Sequence, residues 1–259
     1  MLAGMIDIRQ FPCLSDNYGY LIRDRATGAV AAIDTPDAEA INDALAREGW
    51  RLTHIFNTHW HPDHAGGNLA LKEKWACRIT GPKGEAAKIP GIGEAVGEGD
   101  VVALGKSRAV VRDTPGHTLG HIIYHFADDE AAFVGDTIFA LGCGRLFEGT
   151  ADQMWSSLLK IASMPPGTKL YCAHEYTQSN ARFAVTVDPE NAALARRLDD
   201  VNAKRARGEW TVPSTLAEEL MTNPFLRAKD PGVQRALGLS GADPVAVFSE
   251  VRRRKDQFR

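Results

Sequence analysis

The stretch Thr58-His59-Trp60-His61-Pro62-Asp63-His64 decides how this chain is read. It follows directly on residues 52–57, which read as a strand. In an extended chain, side chains two apart point to the same side, so His59 and His61 can aim both imidazoles at one point. Asp63 and His64 come just after, where Pro62 turns the chain toward the next helix. Three imidazoles and a carboxylate within six residues are the donor types that borderline-soft metals take. For Asp63 alone, capping a helix that starts near Ala65 is the plainer reading. For the four together, packing is a poor explanation.

Working outward, three more candidates each lie at the end of an expected strand or in the loop after it. His117 sits in Thr114-Pro115-Gly116-His117-Thr118, Asp136 in Val134-Gly135-Asp136-Thr137 and His174 in Tyr171-Cys172-Ala173-His174-Glu175. Small residues before each allow the backbone to approach a crowded centre. Taken singly, a His after a strand is more often surface or satisfied core, and Gly-Asp is most often a turn. Their occurrence together with the first motif makes a ligand set the better reading.

Around these motifs the first two-thirds of the chain alternates strand-like and helix-like segments. Residues 18–22, 30–33, 52–57, 101–104, 109–112, 121–126, 131–134 and 169–173 read as strands, and 37–48, 67–75 and 152–164 as helices. The texture then changes. Residues 189–207 and 213–220 are helical in propensity, and 243–256 reads as a terminal helix opened by Asp243-Pro244. A boundary is expected near residues 174–182, with strands covered by helices before it and helices after it.

The chain has 259 residues, 44% hydrophobic and 24% charged, which fits a soluble globular protein of one large domain or a core plus a smaller one. A net charge of −3 gives no reason to expect nucleic acid as a partner. Residues 1–10 lack the pattern of a secretory leader, and no apolar run approaches the roughly 20 residues of a membrane span. Cys13, Cys77, Cys143 and Cys172 form no C-x-x-C, so a reducing cytoplasm and buried, apolar-type cysteines are expected.

The T-H-x-H-x-D-H core, the later His and Asp and a last His after a strand resemble the metallo-β-lactamase superfamily. The resemblance narrows further at Cys143-Gly144-Arg145-Leu146-Phe147-Glu148-Gly149, His174-Glu175-Tyr176-Thr177, Asn223-Pro224-Phe225 and Arg253-Arg254-Lys255-Asp256-Gln257-Phe258. These look like the glyoxalase II, or hydroxyacylglutathione hydrolase, family. The resemblance implies an α+β fold: a metallo-β-lactamase-type αββα sandwich over residues 1–174, then a small C-terminal α-helical domain over 175–259 that binds substrate. It implies hydrolysis of S-(2-hydroxyacyl)glutathione, the second step of methylglyoxal detoxification, by a monomer with two divalent metal ions, zinc first, with iron or manganese as alternatives. The first metal would take His59, His61 and His117, and the second Asp63, His64 and His174. Asp136 would bridge both, and Asp63 and Asp136 would be the catalytic carboxylates. Arg145, Phe147, Tyr176, Arg252 and Lys255 would contact the glutathione moiety. Phe147 departs from members that carry Tyr there, so any hydrogen bond from that hydroxyl is absent. On composition alone, the run Arg252-Arg253-Arg254-Lys255 reads as a solvated helix end complementing the helix dipole.

Fold alone does not separate this chain from other hydrolases of the same fold, namely β-lactamases, lactonases, nucleases and phosphodiesterases. Asp136, where some lactamases carry Cys, counts against that branch. A related persulfide dioxygenase would use one iron and lack the helical extension. A non-catalytic scaffold would be expected to have lost ligands, and here all seven positions are filled.

Overall fold

The computed structural model describes residues 5–258. Met1 to Gly4, the start of the segment read for a leader, and Arg259 lie outside the described residues. Contacts divide the chain into two compact units, residues 1–113 with 119–135, and residues 114–118 with 136–259.

The first unit opens with β1 (Ile6–Cys13), β2 (Asn17–Asp24) and β3 (Val30–Ile33), then α1 (Ala38–Glu48) and β4 (His54–Phe56). Next come α2 (Pro62–Ala65), α3 (Asn68–Trp75), β5 (Arg78–Pro82), a 3₁₀ segment at Lys83–Lys88 and β6 (Glu94–Val96). These six strands form one sheet in chain order; β1 to β3 pair antiparallel, and β3 to β6 pair parallel. Helix α1 starts where the Asp37 side chain accepts the N–H groups of Glu39 and Ala40, and stops at Gly49, which turns left-handed at φ 64°. Its buried Ile41, Ala44 and Leu45 pack with Leu21, Ala32, Ile55 and Ile79 of the sheet. Burying one such Leu or Ile contributes roughly 1.5–3 kcal/mol.

The remaining strands of this unit, β7 (Val101–Leu104), β8 (Ser107–Asp113), β9 (Ile122–Phe126) and β10 (Ala131–Gly135), form an antiparallel meander. It meets the first sheet through aromatic contacts, Tyr20 on Phe133 at 5.6 Å and Phe56 stacked on Tyr124 at 5.4 Å. The strands at 6–13, 78–82 and 94–96 were not read from the sequence.

The second unit begins with a short hairpin, β11 (Ile138–Phe139) and β12 (Gly142–Cys143), followed by α4 (Ala151–Ala162), whose Thr150 and Gln153 form a capping box. Then come β13 (Lys169–Cys172), α5 (Thr177–Val187), α6 (Ala192–Ala206), β14 (Ser214–Thr215), α7 (Leu216–Thr222), α8 (Pro231–Leu237) and α9 (Pro244–Gln257). The stretch 174–182 holds the start of α5, and α8 was not expected. Trp155 of α4 packs on Phe248 of α9 at 6.1 Å, and Phe225 lies 6.0 Å from the same ring. Among the described residues, no helix is long and apolar enough to cross a membrane. The four cysteines are free and buried, as expected.

Candidate metal centre

Strands β3 and β4 run parallel with Ile33 opposite Phe56, so both chains leave the sheet at the same edge. Asp34 leaves β3 with φ 56°, an uncommon conformation for a residue other than glycine. Thr58 and His59 leave β4. Asp34 Oδ1 accepts the Thr58 N–H at 2.7 Å; its Oδ2 accepts the Thr58 hydroxyl at 2.7 Å and His64 Nδ1–H at 2.8 Å. With Nδ1 donating, His64 keeps its lone pair on Nε2, which lies 3.5 Å from Asp63 Oδ2. The Thr58 hydroxyl, already donating to Asp34, lies 3.1 Å from His59 Nδ1 and can accept its proton. His59 then presents Nε2 as an acceptor, 3.0 Å from His61 Nδ1. An imidazole lone pair aimed that closely at a second ring nitrogen calls for a proton or a cation between them. Asp34, His59 and His64 are buried, and His61 and Asp63 are half-buried. Asp34, one residue past the strand read at 30–33, was missed in the sequence.

In the second unit, His117, Asp136 and His174 come together. His117 Nδ1 donates to the Arg145 carbonyl at 2.9 Å, which leaves Nε2 facing Asp136 Oδ2 at 3.4 Å. His174 Nε2 lies 3.5 Å from the other oxygen, Asp136 Oδ1. Gly144 permits this closeness: a Cβ there would fall 2.0 Å from the Asp136 carbonyl oxygen and 3.1 Å from His117 Nδ1. The His174 ring stacks on Tyr176 at 4.8 Å and takes the edge of Phe139 at 5.8 Å. Separations of 3.4–3.5 Å exceed ordinary hydrogen bonds. They match the donor–donor edge, about 3.3–3.4 Å, of a tetrahedron with metal bonds of 2.0–2.1 Å. The donor set therefore fits divalent metal.

A cavity of about 490 Å³ opens in the second unit, lined by His117 and Asp136 together with Arg145, Phe147, Tyr176, Arg252 and Lys255. All five residues expected to contact substrate thus share one cavity with two expected metal ligands. Their settings differ. Phe147 is exposed and sets its ring against His117 at 5.2 Å. Lys255 lies near the rings of Phe183 and Phe258, each 5.5 Å away, and reaches Ser179 Oγ at 3.2 Å. Burial and the neighbouring charges of Arg252 and Arg145 pull the Lys255 pKa down to about 8. Cys143 also lines the cavity, but burial pushes its thiol up to about 11, so it is no nucleophile.

Arg252 corrects the reading of a solvated helix end. It is 5% exposed, donates from Nη1 to the Cys143 carbonyl and from Nη2 to Asp256, both at 2.8 Å, and lies over Phe225 at 5.2 Å. It ties α9 to β12. The same hairpin is held from the other helices. Asn223, buried, donates to the carbonyls of Phe139 at 3.2 Å and Gly142 at 3.0 Å; Glu219 accepts the Leu141 N–H at 2.9 Å; Asn180 donates to the Ala140 carbonyl at 3.1 Å. The Asn223-Pro224-Phe225 motif thus has a physical role: it fixes the loop that follows Asp136 and carries Phe139 onto His174.

A profile described as the metallo-β-lactamase superfamily matches residues 20–174, and one described as the hydroxyacylglutathione hydrolase C-terminus matches residues 175–258. Hydroxyacylglutathione hydrolase of Hyphomonas neptunium is 56% identical over 99% of this chain and 100% of its own length. That of Methylococcus capsulatus is 53% identical over 98% of this chain and 100% of its own. Among solved structures, ETHE1 from Myxococcus xanthus superposes with a TM-score of 0.66 at 26% identity, covering 98% of this chain and 100% of that one. The B3 metallo-β-lactamase BLEG-1 also gives 0.66, at 20% identity over 85% of this chain and 99% of that one, which speaks to the fold alone. The chain belongs to the hydroxyacylglutathione hydrolase family, on the metallo-β-lactamase fold.

Proposed function

We propose that this protein hydrolyses S-(2-hydroxyacyl)glutathione, S-lactoylglutathione foremost, to glutathione and a 2-hydroxy acid, as a monomer in a reducing cytoplasm. The observation that carries the reading is the shared cavity: Asp136 and His117 line the same 490 Å³ space as Arg145, Tyr176, Arg252 and Lys255. Metal-binding groups beside fixed cationic side chains suit a substrate with one reacting carbonyl and two remote carboxylates. Whole-length identity to hydroxyacylglutathione hydrolases favours this activity over the β-lactamase, lactonase and phosphodiesterase alternatives.

The ligand assignment proposed is His59, His61 and His117 for one ion, Asp63, His64 and His174 for the other, and Asp136 shared. Zinc is the proposed occupant; the donor set also suits iron and manganese. When bound, the two ions supply Lewis acidity, which makes hydroxide available near neutral pH and draws charge from the thioester carbonyl. The protein's own residues do the rest. Asp34 and Thr58 hold His64 and His59 in the tautomers that offer Nε2. Arg145 O does the same for His117. Lys255 attracts a glutathione carboxylate, and the Tyr176 ring, stacked on His174, walls the thiol side of the cavity. The leaving thiolate has a conjugate acid near pKa 8.5, so it departs without a strong general acid. Residues 1–174 would supply the metal chemistry and 175–259 most of the grip on glutathione.

The test is a panel of S-lactoylglutathione, a penicillin, a lactone and a phosphodiester, offered to metal-analysed protein. The thioester should be turned over by orders of magnitude faster than the rest. Equal or greater activity on any of the other three would overturn the reading.

A further inference from the structure

We propose that Glu85 is a positioning residue for the metal centre, clamping two ligand-bearing loops with one buried carboxylate. The inference rests on the hydrolase reading above. Glu85 lies in the 3₁₀ segment Lys83–Lys88, away from the ligand motifs, and is only 3% exposed. Its Oε2 accepts the backbone N–H of Trp60 at 3.0 Å, and its Oε1 accepts the backbone N–H of Gly120 at 2.9 Å. Trp60 stands between His59 and His61, and Gly120 follows His117 by three residues in the chain. One carboxylate thus fixes the backbone between the paired histidines of the first motif and, through its second oxygen, the loop that leaves the third histidine.

The packing around the clamp leaves little slack. A Cβ on Gly120 would fall 2.5 Å from Glu85 Cγ, and one on Gly84 would fall 3.1 Å from Gly120 Cα. The same segment grips Trp60 a second time, since Lys88 Nζ lies 4.4 Å from the indole ring and that ring abuts His61 at 4.8 Å. Charged acceptors make the stronger hydrogen bonds to backbone amides. A buried carboxylate is costly unless such donors satisfy it, so its retention on these two amides points to a positional role. Groups that hold metal ligands from behind typically change metal affinity or activity by about 10–100-fold when altered.

The experiment compares wild type with Glu85→Gln, which keeps the shape but offers one acceptor oxygen where two are used. Metal dissociation is measured by chelator competition on the metal-loaded protein, and amide exchange at Trp60 and Gly120 by mass spectrometry or NMR. Metal affinity should fall about 10–100-fold, exchange at one or both amides should quicken, and kcat should drop with KM for S-lactoylglutathione within about two-fold. Glu85→Asp, charged but one methylene too short to span both amides, should weaken metal likewise, and it decides the question should the Gln variant not fold. Unchanged metal affinity and exchange in a folded variant would overturn the proposal. So would losses that merely track a lower melting temperature. If wild type fails to hydrolyse the thioester, the functional reading falls, while chelator competition and exchange still decide the role of Glu85.

Discussion

Asp34 Oδ2 sits 2.8 Å from His64 Nδ1, and through the Thr58 hydroxyl the same carboxylate reaches His59. One buried acid therefore sets the tautomer of two imidazoles on the first motif. Asp34→Asn keeps the size but turns an amide N–H₂ or a weaker acceptor toward His64. Metal affinity in chelator competition should fall about 10–100-fold in a folded protein. Wild-type affinity in the variant would show that His64 needs no such partner.

Asp136 meets His117 with one oxygen and His174 with the other, whereas Asp63 faces His64 with one. Asp136→Ala should lose more metal, and more turnover, than Asp63→Ala. Elemental analysis of both variants purified without chelator is the check. About two ions per chain in each, with matched kcat, would remove the bridging role from Asp136.

Lys255 and Arg252 should behave differently, contrary to their shared place at a basic helix end. Lys255, with its pKa pulled to about 8, is charged below that pH and neutral above it. For the free enzyme, kcat/KM on S-lactoylglutathione should therefore decline as pH rises through about 8, with KM carrying the change. Lys255→Arg should hold the plateau to higher pH, and Lys255→Ala should lack that limb and show a raised KM. A profile identical in all three would sink the binding role of Lys255. Arg252→Ala should instead lower stability, because the Cys143 carbonyl and Asp256 lose a buried partner; the cost expected in urea unfolding is about 2–4 kcal/mol.

Asp24 offers a stability test far from the chemistry. It is fully buried; its carboxylate accepts from Thr27 N–H at 2.7 Å and Thr27 Oγ1 at 2.6 Å, and from Ser107 N–H at 3.1 Å and Ser107 Oγ at 2.7 Å. Burial raises its pKa, but these hydrogen bonds outweigh it and bring it to about 2. A depressed folded-state pKa stabilises at pH above the usual carboxylate value near 3.9, and that contribution fades as pH falls toward about 2. Asp24→Ala should lose about 2–4 kcal/mol at pH 7, and the gap to wild type should narrow in acid. A constant gap from pH 7 down to pH 2 would refute the account.

The sequence by itself determined the parts whose physics is local. Six consecutive residues hold four donors, and a strand ending at Phe56 is enough to aim them. The helix at 37–48 was legible because its ends, Asp37 and Gly49, need only their own helix. His117, Asp136 and His174 were candidates from their places after expected strands, and the family resemblance gave them their ligand roles. Only the tertiary structure decided what holds them. Asp34 is 30 residues from His64, and Glu85 is 35 from Gly120, so neither contact leaves a period or a spacing to read. Likewise, a run of basic residues on a helix end is the same string whether it faces water or carbonyls. Arg252 became a buried tie because α9 lies against β12, a contact 109 residues long in sequence. Helix hydrogen bonds and caps are satisfied within a few residues and so write themselves into local pattern. Buried carboxylates and guanidinium groups must find partners wherever the packing brings them, and the packing is a property of the whole chain.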